Sequence, residues 1–554
     1  MAHATAATLT VAGLDVSLGA RTLVSGLDLT LAPGDVTALV GPNGSGKSTL
    51  MRLLVGDLPI EQGSVRLAPP GATLAWLPQT LPARAESLLD YVRRRTGVEA
   101  ADRRLESAAD RLASAEQGAE DDYAEALERW LALGGANLVD RLPEVTARVG
   151  LTVPADRPLG SLSGGEAARV SLVAVLLSHY DVLLLDEPTN DLDRRGQRLV
   201  VDFVRGHEGP VLVASHDRAF LDEVATGVVE LDLHQGRVGH YAGGWSDYAQ
   251  ARDLTRAQEW EAYAGYASAR DALVAQSRQR QGWAARGHRA VRSGAEADKH
   301  LRERDRARAD RQLGKAARVA RAVDRLEVVE QPRKEWQLSY AISEGPPSTD
   351  VVASLDAAVA ARGSFRIGPV SLVLGRGDRV ALTGDNGSGK TTLVGALLGS
   401  LPLESGRASV GSRVSLGVLD QQRALLDSDD PVLEIVRGAL GAHLTEGDDG
   451  EVRTLLAKFG LGADHVHRPG RSLSLGERTR ALLAVFQGRA VNTLVLDEPT
   501  NHLDVAAIQQ LEQAVAGFGG TLVVVSHDRR FLQSVGVTSE WHVEAGAVSV
   551  AELS

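Results

Sequence analysis

Cysteine is absent from all 554 residues. That excludes disulfides and thiolate metal sites and suits a reducing compartment. No run of about 18 apolar residues occurs, so there is no candidate transmembrane helix. Residues Met1 to Thr10 lack a basic start followed by an apolar stretch, so no signal peptide is expected and a cytoplasmic location is. The net charge of −12 argues against a protein that coats nucleic acid over its whole surface, while leaving room for a local basic element. Lysine is scarce: only Lys47, Lys299, Lys315, Lys334, Lys390 and Lys458 stand among 60 basic residues. Two of those six sit in the motifs described next. The length exceeds what one core supports and predicts three or four structural units.

What the chain does have is an internal repeat. Gly41-Pro-Asn-Gly-Ser-Gly-Lys47-Ser48 returns as Gly384-Asp-Asn-Gly-Ser-Gly-Lys390-Thr391. Leu162-Ser-Gly-Gly-Glu166 returns as Leu473-Ser-Leu-Gly-Glu477, Asp186-Glu187-Pro as Asp497-Glu498-Pro, and Ser215-His216-Asp217 as Ser526-His527-Asp528. The last three pairs share an offset of 311 residues, whereas the glycine-rich loops are 343 apart. From Gln79 to Leu162 is 83 residues, against 52 from Gln421 to Leu473. The first copy therefore carries 31 extra residues between its glutamine and its Ser-Gly-Gly motif. Apolar spacings of three and four within 98–134, with Gln117-Gly118 between the halves, predict a short antiparallel helical arm. Between the copies, residues 249–335 are rich in Ala, Arg, Gln and Glu and read as two long helices with a break near 281–295, where Gly282, Gly287 and Gly294 cluster. Arg278 to Arg321 holds 14 Lys/Arg and 5 Asp/Glu, a local +9.

Each glycine-rich loop follows an apolar strand-like run and precedes a helical one. Such a loop turns backbone N–H groups toward phosphate oxygens at a helix N-terminus. The cradle would comprise Gly41, Asn43, Gly44, Gly46, Lys47, Ser48 and Thr49 in one copy, and Gly384, Asn386, Gly387, Gly389, Lys390, Thr391 and Thr392 in the other. Lys47 and Lys390 add charge at the β/γ-phosphates, and Ser48 and Thr391 would ligate Mg²⁺. Asp186 and Asp497 end buried-strand patterns and would hold Mg²⁺ directly or through water. Glu187 and Glu498 would polarise the attacking water. Gln79 and Gln421 would sense metal and water, and His216 and His527 the γ-phosphate.

The motif order resembles ABC ATPases over residues 8–245 and 350–550. The tandem copies, the linker of about 80 residues, the arm in the first copy and the Asp-Glu-Pro-Thr-Asn seams resemble the ABC-F branch. The resemblance implies an α/β fold: two ABC-type P-loop nucleotide-binding domains in tandem (1–245 and 336–554), joined by a long α-helical hairpin linker (246–335), with the arm at about 98–134. It implies a head-to-tail sandwich in which Lys47 shares one ATP with Ser474 and Gly476, and Lys390 the other with Ser163 and Gly165. Asn190-Asp-Leu-Asp193 and Asn501-His-Leu-Asp504 would line the seam. ATP and Mg²⁺ are the implied cofactors. The implied partner is the ribosome, bound at its E site in the ATP-closed state by a monomeric chain, with the linker reaching toward P-site tRNA and the peptidyl-transferase region. Arg278, Arg280, Arg286, Arg289, Arg292 and Lys299 suit RNA phosphates, and Trp283 and His288 could stack on bases. Drug resistance, stalled-ribosome rescue and a housekeeping translation role all fall within this reading.

Two departures stand out. Leu18 holds the place where many ABC domains stack adenine on an aromatic, and the second copy shows no clear aromatic there, although Phe365 is nearby. Leu475 replaces the usual signature glycine. Two other readings compete: the ATPase subunit of an exporter with separate membrane chains, and a DNA-repair or chromosome-associated ATPase. The latter tend to carry zinc cysteines or very long coiled coils, and this chain has neither.

Overall fold

The computed structural model describes residues 7–18, 21–78, 86–162, 164–190, 192–232, 236–292, 345–363, 365–441 and 449–553, with scattered positions between 307 and 331. The chain divides into two compact units, one formed by Met1–Ser246 with Gln337–Ser554 and the other by Asp247–Trp336.

In the first unit, the valine- and leucine-rich segments form β-structure because both faces of the strands are covered. The first copy contains β1 (Thr8–Leu18), β2 (Arg21–Leu31), β3 (Val36–Val40), α1 (Lys47–Leu54), β4 (Ser64–Ala68) and β5 (Leu74–Leu77). It continues through α2 (Leu88–Arg95), α3 (Val98–Ala113), α4 (Ala119–Ala132), α5 (Leu138–Arg148), α6 (Gly164–Leu176), β6 (Val182–Asp186), α7 (Arg194–Gly206), β7 (Val211–Ala214), α8 (Arg218–Val224), β8 (Gly227–Asp232) and β9 (Arg237–Ala242). The long helix α9 spans Trp245–Arg292. The second copy runs β10 (Val351–Arg362), β11 (Phe365–Gly375), β12 (Arg379–Thr383), α10 (Lys390–Leu397), β13 (Leu403–Val410), β14 (Leu416–Leu419), α11 (Val432–Leu440), α12 (Asp449–Lys458) and α13 (Ala463–Val466). It ends with α14 (Leu475–Gly488), β15 (Thr493–Asp497), α15 (Val505–Ala516), β16 (Thr521–Val525), α16 (Arg529–Ser534), β17 (Ser539–Glu544) and β18 (Ala547–Glu552).

Each copy pairs a three-stranded antiparallel sheet with a six-stranded one, ordered β5-β6-β7-β3-β8-β9 and β14-β15-β16-β12-β17-β18. All neighbours in the large sheets are parallel except the last pair. Strands β3, β6 and β7 are buried at every position. The phosphate loop, Asp186 and His216 follow the carboxyl ends of these three adjacent strands, which is where open α/β sheets bind ligands. In the second copy the same motifs follow β12, β15 and β16.

Helices α3 and α4 form the expected arm. Their antiparallel packing is fixed by Arg104–Glu125 at 2.9 Å and by Trp130 Nε1, which donates to Asp102 Oδ1. Arg93 of α2 reaches the same Asp102 at 2.7 Å, tying the arm to its domain. Within the expected break region 281–295, α9 continues through Gly282 and Gly287 and is described as far as Arg292. Glycine costs a helix only about 1 kcal/mol relative to alanine, and here Gln, Arg and Ala surround both glycines. Gly294 lies outside the described residues.

The two copies meet along a seam inside the first unit. Arg218 of α8 makes a two-pronged ion pair with Glu512 of α15, with both side chains nearly buried. Arg530 of α16 pairs with Asp222 of α8, whose carboxylate also accepts from the Ser246 backbone at 2.6 Å and its hydroxyl at 2.8 Å. Opening the seam would separate both pairs. Glu512→Ala is expected to weaken closure by about 3 kcal/mol, because it strands the Arg218 guanidinium in a nearly dry position. Intramolecular FRET across the seam in a Glu187→Gln/Glu498→Gln background would read this as a higher ATP midpoint for closure. An unchanged midpoint would remove the pair from the closure energetics.

Candidate functional site

Tight backbone turns come first. Gly44 and Gly46 adopt φ of 80° and 94°, and Gly387 and Gly389 of 82° and 108°, a region that side chains resist. A Cβ at Gly46 would fall 2.8 Å from Leu23 Cδ1, and one at Gly389 would fall 2.5 Å from Phe365 Cε1. The loops then enter α1 and α10 at Lys47 and Lys390. Lys47 Nζ donates to the Gly41 and Pro42 carbonyls at 2.8 and 3.3 Å, and Lys390 Nζ to those of Gly384 and Asp385 at 2.6 and 3.0 Å. Burial lowers the pKa of both ammoniums, an effect opposed first by Glu187 and by Glu498 respectively.

The acids converge on these lysines. Asp186 hydrogen-bonds the Ser48 hydroxyl and Asp497 that of Thr391. Burial raises the pKa of both carboxyls. Glu187 and Glu498 adopt left-handed backbone, φ 51° and 43°, strain of the kind that accumulates at functional sites. Burial pushes the Glu187 carboxyl up to about 8 and holds the His216 imidazole down at about 3. His216 Nε2 lies 3.4 Å from Glu187 Oε1, so at neutral pH the two meet as uncharged groups rather than an ion pair. His527 is held at about 4, first by burial and then by Lys390; its Nε2 lies 3.7 Å from Glu498 Oε1 and 3.5 Å from Lys390 Nζ.

A cavity of about 1220 Å³ runs along the seam. Asn386, Gly387, Gly389, Lys390, Thr391, Thr392, Gln421, Asp497, Glu498 and His527 line it from one copy, and Gly165, Asn190 and His216 from the other. Thus the second phosphate loop faces the N-terminus of α6. On the first loop, Asn43 donates its backbone N–H to Asp504 Oδ2 and its side-chain amide to the His502 carbonyl, both at 3.1 Å. Asp193 accepts reciprocally from the Asn386 backbone. Ser474 caps α14 in a reciprocal box with Glu477, and Gly476 packs close to Ala507, beside Asp504. Gln79, Ser163 and Lys299 lie outside the described residues. Arg278 and Arg286 are exposed on α9; Arg280, Trp283, Arg289 and Arg292 lie on the same helix, but their side chains are outside the described set.

The donor set fits a magnesium nucleotide. A hydroxyl and a carboxylate suit a hard cation that takes its remaining ligands from water and phosphate. Buried Ser45 Oγ, Ser388 Oγ, Glu187 Oε1, His216 Nδ1 and His527 Nδ1 have no hydrogen-bond partner among the described residues, as polar atoms facing a ligand position would.

Several contributors escaped the sequence reading. Arg157 and Arg468 each grip a serine two residues before the signature serine, through the Ser161 and Ser472 carbonyls, and each approaches the signature glutamate, at 3.6 and 3.8 Å. Their signal was present: an arginine four residues and a proline three residues before each serine, repeated at the 311-residue offset. Arg169 holds Asp193 at 3.0 Å. Phe365 lies against the second phosphate loop and lines the cavity, so the second site does have an aromatic wall; Leu23 takes the matching contact in the first.

Two domains with phosphate loops at the carboxyl ends of parallel strands, facing one another across a motif-lined seam, define a tandem ABC-type ATPase. The ABC transporter domain family matches residues 24–190 and 367–501. A tylosin resistance ATP-binding protein, TlrC, of Streptomyces fradiae is 35% identical over 551 residues, covering 96% of each chain. The energy-dependent translational throttle protein EttA of Mycobacterium tuberculosis is 33% identical, covering 93% of this chain and 87% of that one. The ATP-binding protein Uup of Escherichia coli is 32% identical, covering 96% and 80%. An archaeal ribosome recycling factor, aABCE1, solved in complex with a ribosomal stalk protein, shares the fold at TM-score 0.59 and 19% identity, covering 98% of this chain and 90% of that one. The chain belongs to the ABC-F family of ABC ATPases. Among the described residues, no helix is long and apolar enough to cross a membrane.

General-base work by Glu187 requires its carboxylate. With the carboxyl at about 8, that form grows as pH rises through 8 and is scarce below it. In Glu498→Gln, where turnover reports the first site, kcat/KM for MgATP is expected to climb toward an apparent pKa near 8. Adding Glu187→Gln should lower turnover by roughly 10²–10⁴-fold and abolish the limb. A flat profile between pH 6 and 9 would rule out this titration.

Proposed function

We propose that this chain is a cytoplasmic, monomeric ATPase that binds the ribosome when ATP closes its seam and leaves after hydrolysis. The division of labour is residues 1–245 and 336–554 as the nucleotide-binding halves, and 246–335 as the element that meets RNA. What carries the reading is the full-length likeness to a tylosin resistance protein and a translational throttle protein. It is supported by a +9 stretch between Arg278 and Arg321 in a chain of net charge −12.

In the ATPase cycle, the phosphate-loop N–H groups and Lys47 or Lys390 bind the nucleotide. Ser48 with Asp186, and Thr391 with Asp497, would hold Mg²⁺, which neutralises phosphate charge. Glu187 and Glu498 orient and deprotonate water, His216 and His527 approach the γ-phosphate, and the products are ADP and phosphate. On the ribosome the closed form occupies the E site, and the linker reaches toward P-site tRNA and the peptidyl-transferase region. Relief of inhibition by a drug bound there, or of a stalled complex, is the role we favour.

Co-sedimentation of the Glu187→Gln/Glu498→Gln protein with ribosomes tests this. Pelleting should require ATP and fall as salt rises, since RNA contacts release counterions. A closed-state variant that stays in the supernatant at every salt concentration defeats the ribosome reading. Translation in a tylosin-inhibited extract should recover on adding the wild-type protein with ATP; no recovery while pelleting persists leaves ribosome binding standing and removes tylosin from the role.

A further inference from the structure

Arg423 is fully buried, and its backbone is left-handed at φ 52°. It stands two residues after Gln421, which lines the second site. Its guanidinium donates from Nη1 to the carbonyls of Asp420 and Gln421 at 2.9 and 2.8 Å, and from Nη2 to the Pro499 carbonyl at 2.8 Å. Pro499 directly follows Asp497 and Glu498. A longer contact, 3.5 Å from Nε, reaches the Thr479 hydroxyl, which itself donates to the Leu475 carbonyl at 2.9 Å. One side chain thus joins the glutamine segment, the Asp-Glu-Pro segment and the first turn of α14.

Two of these segments belong to the Lys390 site, and the third, the start of α14, also reaches toward the first phosphate loop. Gln421, Asp497 and Glu498 line the cavity with Lys390, and Leu475 at the start of α14 lines it too. The N-terminus of α14 packs at Gly476 against Ala507, whose N–H donates to Asp504, and Asp504 takes the backbone N–H of Asn43 in the first phosphate loop. Arg423 therefore spans from the machinery of one site to the signature helix that faces the other.

The repeat supplies an internal comparison. Counted from the paired glutamines, Leu81 corresponds to Arg423; at the 311-residue offset, Ala168 corresponds to Thr479. Both polar partners are apolar in the first copy. A buried guanidinium carries a large desolvation cost and persists where its donors are all used. Five N–H groups in a rigid fork are suited to fixing several carbonyls at once. The second copy alone also carries Leu475 at the signature position whose carbonyl ends this chain of bonds.

We infer that Arg423 is a positioning residue that couples the two ATP sites through the second domain, locking the α14 signature turn to the Gln421 and Glu498 segments. It is not among the residues that line the seam cavity. Its influence runs in one direction of the pseudo-symmetry, because the first domain lacks the pair. The inference rests on the ATPase reading of both sites, and the closing experiment includes parent turnover so that failure of that reading is visible separately.

The experiment uses single-site backgrounds of the full-length chain. Glu498→Gln silences hydrolysis at the second site, so its remaining turnover reports the first. Adding Arg423→Met should lower that remaining kcat by roughly tenfold, with KM for MgATP changed less than threefold. Arg423→Lys, which keeps charge but not the fork, should recover less than half of the loss. Thr479→Ala, the first copy's own residue, removes only the α14 end of the link and should reproduce the direction of the kcat loss. It also stands in for Arg423→Met if that variant does not fold. First-site turnover unchanged by Arg423→Met, or by Thr479→Ala where it replaces it, overturns the coupling. So does a lysine variant that restores full activity. An absence of turnover in the Glu498→Gln parent itself would instead count against the two-site ATPase reading.

Discussion

Two backbone hydrogen bonds across the seam organise this molecule. Asn43 gives its N–H to Asp504, and Asn386 gives its own to Asp193. Each phosphate loop is thereby seated against the opposite half. The carboxylates are fixed in turn: Asp193 by Arg169 and the N–H of Gly196, Asp504 by the N–H of Ala507. A charge-assisted bond to backbone tolerates little displacement. It links loop geometry on one side to helix position on the other, and Arg218–Glu512 and Arg530–Asp222 reinforce that link farther along the seam.

Behind the seam, burial sets the electrostatics. The carboxyl ends of β6 and β15 deliver two adjacent acids each into a nearly dry space beside one lysine. Desolvation raises the carboxyls of Asp186, Glu187 and Asp497 and lowers both the ammoniums and the imidazoles. Groups in this balance respond strongly to an added cation and polyphosphate, since each supplies charge where little water screens it. The left-handed backbone at Glu187 and Glu498 aims these carboxyls back at the lysines instead of continuing the strand.

The halves are alike in topology and unlike in detail. Among the described residues, only the first carries the α3–α4 arm and only the second pairs a buried arginine with a threonine on the signature helix. The loop-packing residue is Leu23 in one and Phe365 in the other. Duplicated sheets supply the common geometry, while substitutions at the strand ends and helix starts distinguish the sites.

Much of this was legible in the chain itself. Glycine spacing specifies a phosphate loop because only residues free to take positive φ make that turn, and repeating the motif order at a fixed offset announces two domains. The arm followed from counting residues between Gln79 and Leu162. The linker helix runs past Gly282 and Gly287 because glycine is a weak helix breaker when strong helix formers surround it, and residues 293–295 of the expected break lie outside the described residues. Arg423 was not legible as part of the site and Phe365 only as a residue near the expected aromatic position, since nothing local says that a hairpin residue will meet a loop two dozen positions away or that an arginine will be buried. The sequence by itself determined the chemistry, because donor types and turn geometry are local properties. The tertiary structure alone decided which half completes which site, which acids become desolvated and which side chains bridge the motifs, because those depend on packing between segments hundreds of residues apart.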